Sequence, residues 1–160
     1  MIRLTKQTDY GIVLLSHLAV SSEEHHNAPE LARETHLPLP MVSKILKLLA
    51  RSSLLVSHRG VKGGYRLARS PAEISVADVI AALEGPIAMT ECAPDSSEEC
   101  SYEAFCGVRT NWQRINLAVR DALASVTLEE MAAPWRSPQQ VPQGLRLQPL
   151  VHLGGSQPTS

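Results

Sequence analysis

Residues 40–69 read PMVSKILKLLARSSLLVSHRGVKGGYRLAR, and the change of period inside this stretch decides the fold. Pro40 opens a helix in which Val42, Ile45, Leu46 and Leu49 recur at helical spacing. After Ser53 the helical period stops. Leu55 to His58 reads as a strand, Gly60 to Gly64 as a turn, and Tyr65 to Ala68 as the returning strand. Upstream, Pro29 to Thr35 carries the proline and glutamate of a helix first turn, and His36 to Leu39 breaks it. Asp9 to Val20, DYGIVLLSHLAV, reads as a buried helix before that. Helix, short helix, tight connection, second helix and a two-stranded ribbon is the order of a winged helix-turn-helix. The fold class expected is therefore mainly α with a small β-hairpin wing.

In such a unit the second helix enters the major groove and its N-terminal residues meet base edges. Those residues here are Pro40, Met41, Ser43 and Lys44. Ser43 can donate or accept at a base edge, and Lys44 can reach guanine or a phosphate. In the wing, HRGVKGGYR sets cations among three glycines. Arg59 suits a narrow minor groove. Lys62 and Arg66 suit phosphates, which position a protein without reading sequence. Charge agrees: residues 1–70 hold ten Lys/Arg against five Asp/Glu, a net +5, whereas residues 71–160 hold five against eleven, a net −6. The alternative is a helix pair used for packing, with a solvated glycine-rich turn.

Downstream, Ile74 to Leu83 reads as a short helix. Asn111 to Val126 reads as a longer one, with Trp112, Ile115, Val119, Ala122, Leu123 and Val126 on one stripe. TLEEM extends it as a coda. The domains expected are a DNA-binding unit at 1–84, a cysteine loop at 85–110, a long helix and coda at 111–132, and a disordered tail at 133–160, where Pro, Gln, Gly and Ser dominate. No apolar run approaches the roughly 20 residues of a bilayer span, and the N-terminus lacks a signal-peptide pattern. The expected location is cytoplasmic, with no membrane partner.

All three cysteines of the 160-residue chain fall within Glu91–Cys106, ECAPDSSEECSYEAFC. The spacing C-x7-C-x5-C contains no C-x2-C knuckle, so it does not fit a zinc ribbon or finger. Wide spacing lets a loop wrap something larger than one ion, and three thiolates suit an iron–sulfur cluster short of one ligand. A zinc-bound structural module and three reduced structural thiols are the alternatives. No nucleotide loop and no catalytic serine, histidine or cysteine signature is present, so the chain is not expected to be an enzyme.

RLTKQTDYG at the N-terminus, the wing HRGVKGGYRL, and three cysteines before a long helix together resemble the winged-helix iron–sulfur regulators of bacteria. These include the IscR-like regulators of cluster assembly and the NsrR-like nitric oxide sensors. RLTKQTDYGIVLLSHLA looks most like the subgroup that regulates the SUF assembly system. The resemblance covers about residues 1 to 130. It implies a homodimeric regulator of an operator in double-stranded DNA, with a long C-terminal dimerisation helix crossing its counterpart. It also implies cluster ligation by Cys92, Cys100 and Cys106. IscR-like members place a histidine where this chain has Arg109, which stays protonated and cannot ligate iron. NsrR-like members use an aspartate from the partner's first helix, and the matching residue is Asp9. Asp9 can equally be a helix N-cap, as can Thr8. A 2Fe–2S and a 4Fe–4S cluster both remain open. The function implied is a cluster-sensing repressor of SUF genes, with a nitric oxide-sensing repressor as the alternative.

Overall fold

The computed structural model describes residues 3–21, 23–60, 63–90 and 105–136, with the backbone alone for Trp135 and Arg136. Helix α1 (Lys6–Val20) starts three residues before the expected Asp9, because Thr5 takes the N-cap and its hydroxyl accepts the Thr8 backbone N–H at 3.3 Å. Neither Thr8 nor Asp9 is the cap. Asp9 lies exposed in the first turn, where its charge complements the positive end of the helix dipole. Helix α2 (Ala28–Thr35) is closed by a capping box: the Asn27 side chain accepts from Glu30 N–H and the Glu30 carboxylate accepts from Asn27 N–H. It ends at His36 in the left-handed conformation. Helix α3 (Leu39–Arg51) follows within three residues and buries Val42, Ile45, Leu46 and Leu49, the four positions its period marks.

Strands β1 (Leu55–His58) and β2 (Gly64–Leu67) pair antiparallel with Leu55 opposite Leu67, both buried, so that one end of the hairpin is plugged into the core. A third partner was not legible in the sequence. His26 exchanges two backbone hydrogen bonds with Tyr65, at 3.0 and 2.8 Å, and adds a one-residue strand on the free edge of β2. This explains Gly64, where a Cβ would lie 2.7 Å from the His26 carbonyl oxygen. At Gly63 a Cβ would lie 2.4 Å from the His58 oxygen, and Gly60 has φ +120°. The close approaches that Gly63 and Gly64 permit are to the chain's own backbone.

Helix α4 (Val76–Glu84), capped by Ser75 and Asp78, packs on α1 and α3. A Cβ on Gly11 of α1 would sit 2.3 Å from a Leu83 methyl, so the two helices meet closely there. Helix α5 (Arg109–Ala124) follows the cysteine segment, and α6 (Leu128–Arg136) returns to α1. The coda expected to extend the long helix instead completes the first unit's core. Leu128 and Ala132 are buried against it, and Leu128 N–H and Val76 N–H bond the Ile74 and Val126 carbonyls at 2.7 and 2.9 Å. The helix also continues through Pro134 to Arg136, past the boundary expected at 132. The tail from residue 137 lies outside the described residues. Among those described, no helix is long and apolar enough to cross a membrane.

Candidate nucleic-acid interface and cysteine site

The buried stripe of α3 fixes which side chains face outward. Pro40, Lys44, Lys47 and Arg51, spaced four, three and four residues apart, are all exposed. Ser43 is half-buried, and Met41 packs partly against the core, which leaves it less surface for a base edge than Lys44 has. Lys47 and Arg51 were missed by a reading that stopped at the helix N-terminus. Their signal is the same period that names the core. Pro38 at the N-cap supplies no side-chain acceptor, so the positive end of α3 carries no neutralising carboxylate.

On the wing, strand alternation turns Leu55 and Leu67 inward and sets Val56, His58 and Arg66 on the opposite face. Arg66 stands opposite Val56 and is half-buried, while Arg59 is exposed at the start of the turn. Lys62 lies outside the described residues. Helix α3 and the wing are thus held on one rigid frame, α3 by its four buried side chains and the hairpin by Leu54, Leu55 and Leu67.

Of the cysteines, Cys92 and Cys100 lie outside the described residues. Cys106 is half-buried, is not in a disulfide, and stands just before α5, its carbonyl accepting from Arg109 N–H at 3.3 Å. Arg109 is the first residue of α5. Asp9 lines a surface cleft with Arg3, Leu4, Thr5 and Lys6. Among the described residues, no group of three or more His, Cys, Asp or Glu converges within one protomer. Of the expected donor set, the described residues include a half-buried thiol outside any disulfide, Cys106, and an exposed carboxylate that no helix cap consumes, Asp9.

Two contacts brace the segment that enters the cysteine loop. Asn116, the buried residue of α5, accepts the Met89 N–H through Oδ1 at 3.0 Å, and its Nδ2 has no partner among the described residues. Glu84, at the end of α4, accepts from the Thr8 hydroxyl, the Thr5 N–H and the Thr5 hydroxyl. The Thr8 bond, ahead of those from Thr5, holds the Glu84 carboxyl below its usual range against some desolvation. Gln7 adds a bond to the Leu83 carbonyl at 3.2 Å. The turn that carries Asp9 is thereby fastened to the exit of α4.

A helix-turn-helix with a cationic outward row on its second helix, followed by a glycine-turned hairpin, defines the winged-helix class of DNA-binding regulators. The chain belongs to the Rrf2 family: the profile described as "Rrf2: Iron-dependent Transcriptional regulator" matches residues 4–134. It is 33% identical over 129 residues to protein aau3 of Rhizobium meliloti strain 1021, covering 81% of this chain and 84% of that one. Among solved structures it is similar to CymR, the global cysteine regulator of B. subtilis, with TM-score 0.65 and 30% identity over 83% of this chain and 98% of that one. It is similar also to T. potens IscR, with TM-score 0.65 and 26% identity over 88% and 93%.

Proposed function

We propose that this transcriptional regulator is a homodimeric iron–sulfur cluster sensor that represses iron–sulfur assembly genes of the SUF type. The observation that carries the reading is the confinement of every cysteine of the chain to residues 92–106, directly before α5, inside the segment matched by an iron-dependent family. Cys92, Cys100 and Cys106 would hold the cluster, with Asp9 of the other protomer as the fourth ligand, in 2Fe–2S or 4Fe–4S form. Bound there, the cluster would supply a centre sensitive to oxidants and nitric oxide, held by the side chains of this ligand sphere. Asp9, being exposed and uncapped, is a hard, exchangeable oxygen donor. Because Glu84 ties the Asp9 turn to α4, a change at Asp9 is transmitted to the body carrying α3. Two such bodies must present their α3 helices about 34–36 Å apart to fit successive major grooves.

On DNA, Lys44, Lys47 and Arg51 along α3, with Lys62 and Arg66 on the wing, serve as phosphate or guanine contacts. Pro40, Met41 and Ser43 line the base-reading end, and Arg59 enters the minor groove. The dimer forms through the apolar stripe of α5. A second reading, a regulator that responds to cysteine, is favoured by the similarity to CymR. Anaerobic purification with a visible spectrum and iron and sulfide assays separates the two. The cluster reading expects stoichiometric iron and sulfide, lost in each of Cys92→Ala, Cys100→Ala and Cys106→Ala. A colourless protein, or a full cluster in any single variant, overturns it.

A further inference from the structure

The one-residue strand at His26 changes the composition of the wing's outer face. His26 pairs with Tyr65, so continuing the antiparallel register by one residue sets His25 beside Arg66. Side chains in one cross-strand row share a face, and Val56, Arg66 and His25 form such a row. His58, two residues from Val56, lies on the same face, and its ring meets that of His25 edge to face with centroids 4.6 Å apart. Both histidines are exposed. We propose that His25, His58 and Arg66 form one phosphate-binding cluster on the wing, so that binding of duplex DNA takes up protons. The proposal rests on the DNA-binding reading of the wing.

The physical case is an excess of potential positive charge in a small area. Some desolvation, and then the neighbouring charges of His58, Arg66 and His26, make protonation of His25 harder than in an isolated histidine. A phosphate oxygen placed among the three groups reverses that: it accepts from both imidazolium rings and from the guanidinium. The acids nearby are few. Glu23 lines the cleft beyond Arg66 together with Arg69, and Glu24 is the neighbour of His25 in the chain. Glu30 is engaged in the α2 capping box and lies 3.8 Å from His26 Nδ1. The backbone bonds between His26 and Tyr65 hold the loop and the wing together, so the cluster is in place before DNA arrives.

The sign follows. Without DNA, His25 takes its proton below the usual histidine pKa of about 6.5; beside a phosphate it takes it at higher pH. Affinity therefore rises as pH falls through the DNA-bound pKa, and levels off below the free-protein value. The test uses the full chain, its cluster content measured, and a fluorescent duplex of mixed sequence of about 30 base pairs at fixed ionic strength. Wild type should bind about tenfold more tightly near pH 6 than near pH 8, the effect of an average uptake of about half a proton across that range. His25→Gln with His58→Gln should reduce that ratio to about twofold or less. His25→Lys should bind tightly at both pH values, since its charge is permanent. A double variant with the wild-type pH dependence overturns the proposal while leaving DNA binding intact. Absence of any binding to the duplex by wild type overturns both readings.

Discussion

Helices α1 and α5 are nearly equal in length, fifteen and sixteen residues, and opposite in what they bury. Helix α1 places Leu14, Leu15, Leu18 and Ala19 in the interior of its own protomer, all at 1% exposure or less. Helix α5 leaves Val108 before it, and Trp112, Ile115 and Leu117 along it, 38–52% exposed, and sinks the polar Asn116 instead. The apolar positions 108, 112, 115, 119 and 122, exposed except for the half-buried Val119, alternate in steps of four and three, the spacing of a helix seam. Among the described residues, the first unit closes its own core, whereas α5 leaves Trp112 and Ile115 uncovered and only half-buries Val119 and Leu123. A stripe read from sequence says that a helix has a partner, and the described part of the protomer supplies it for only part of the stripe.

The comparison is broken most severely in the first unit. Ile45 is fully buried on α3 beneath the cationic row. Ile45→Ala should cost about 2–5 kcal/mol of folding free energy, because the cavity adds to the lost transfer energy. Denaturant unfolding measures this directly. A loss under about 1 kcal/mol would mean that the four-residue stripe of α3 is not the core it is taken to be.

The stripe of α5 calls for the reverse outcome. Ile115→Asp should leave the folding of the protomer within about 0.5 kcal/mol, as for a surface substitution, while weakening self-association by a hundredfold or so, about 2–3 kcal/mol. Sedimentation over a concentration series and thermal unfolding at low concentration separate the two effects. A protomer that melts, or a dimer that survives unchanged, would remove the contrast between α1 and α5.

Much of this was legible because period alone carries it. Val42, Ile45, Leu46 and Leu49, the strand Leu55–His58, and the stripe through Trp112 and Ile115 were all read at the right positions. What failed to show in the sequence depended on single residues with no repeat. The His26–Tyr65 bridge is one pair long, too short for any alternation to announce. The cap of α1 fell on Thr5 because its hydroxyl is placed for the Thr8 N–H, whereas Thr8 and Asp9 carry the same cap chemistry three and four residues too late. The role of α6 was hidden because LEEMAAPWR is short and mixes its apolar residues with two glutamates and a proline, so no period marks Leu128 and Ala132 as the pair that closes the core beneath α1. Cys92, Cys100 and Lys62 lie outside the described residues.

The smallest effect concerns the seam between α1 and α4, inside the first unit. Glu84 joins the start of α1 to the end of α4, and its carboxyl is held below the usual range by the Thr8 and Thr5 donors. A depressed folded-state pKa means that the ionised group stabilises the fold above the unfolded pKa of about 4.3, and that this contribution disappears as pH falls through the lower folded value. Glu84 is largely exposed, so water screens the interaction and the contribution should stay under about 1 kcal/mol. Glu84→Gln keeps an oxygen acceptor for the threonines but removes the charge. The stability difference between wild type and Glu84→Gln should therefore be constant from neutral pH down to about 5.5, then shrink toward zero at lower pH. Thermal unfolding of the two proteins in parallel across that range measures it. A difference that stayed constant into strong acid would show that the oxygen acceptor, not the charge, fastens α1 to α4. The coupling between the Asp9 turn and the recognition helix would then be insensitive to protonation at Glu84.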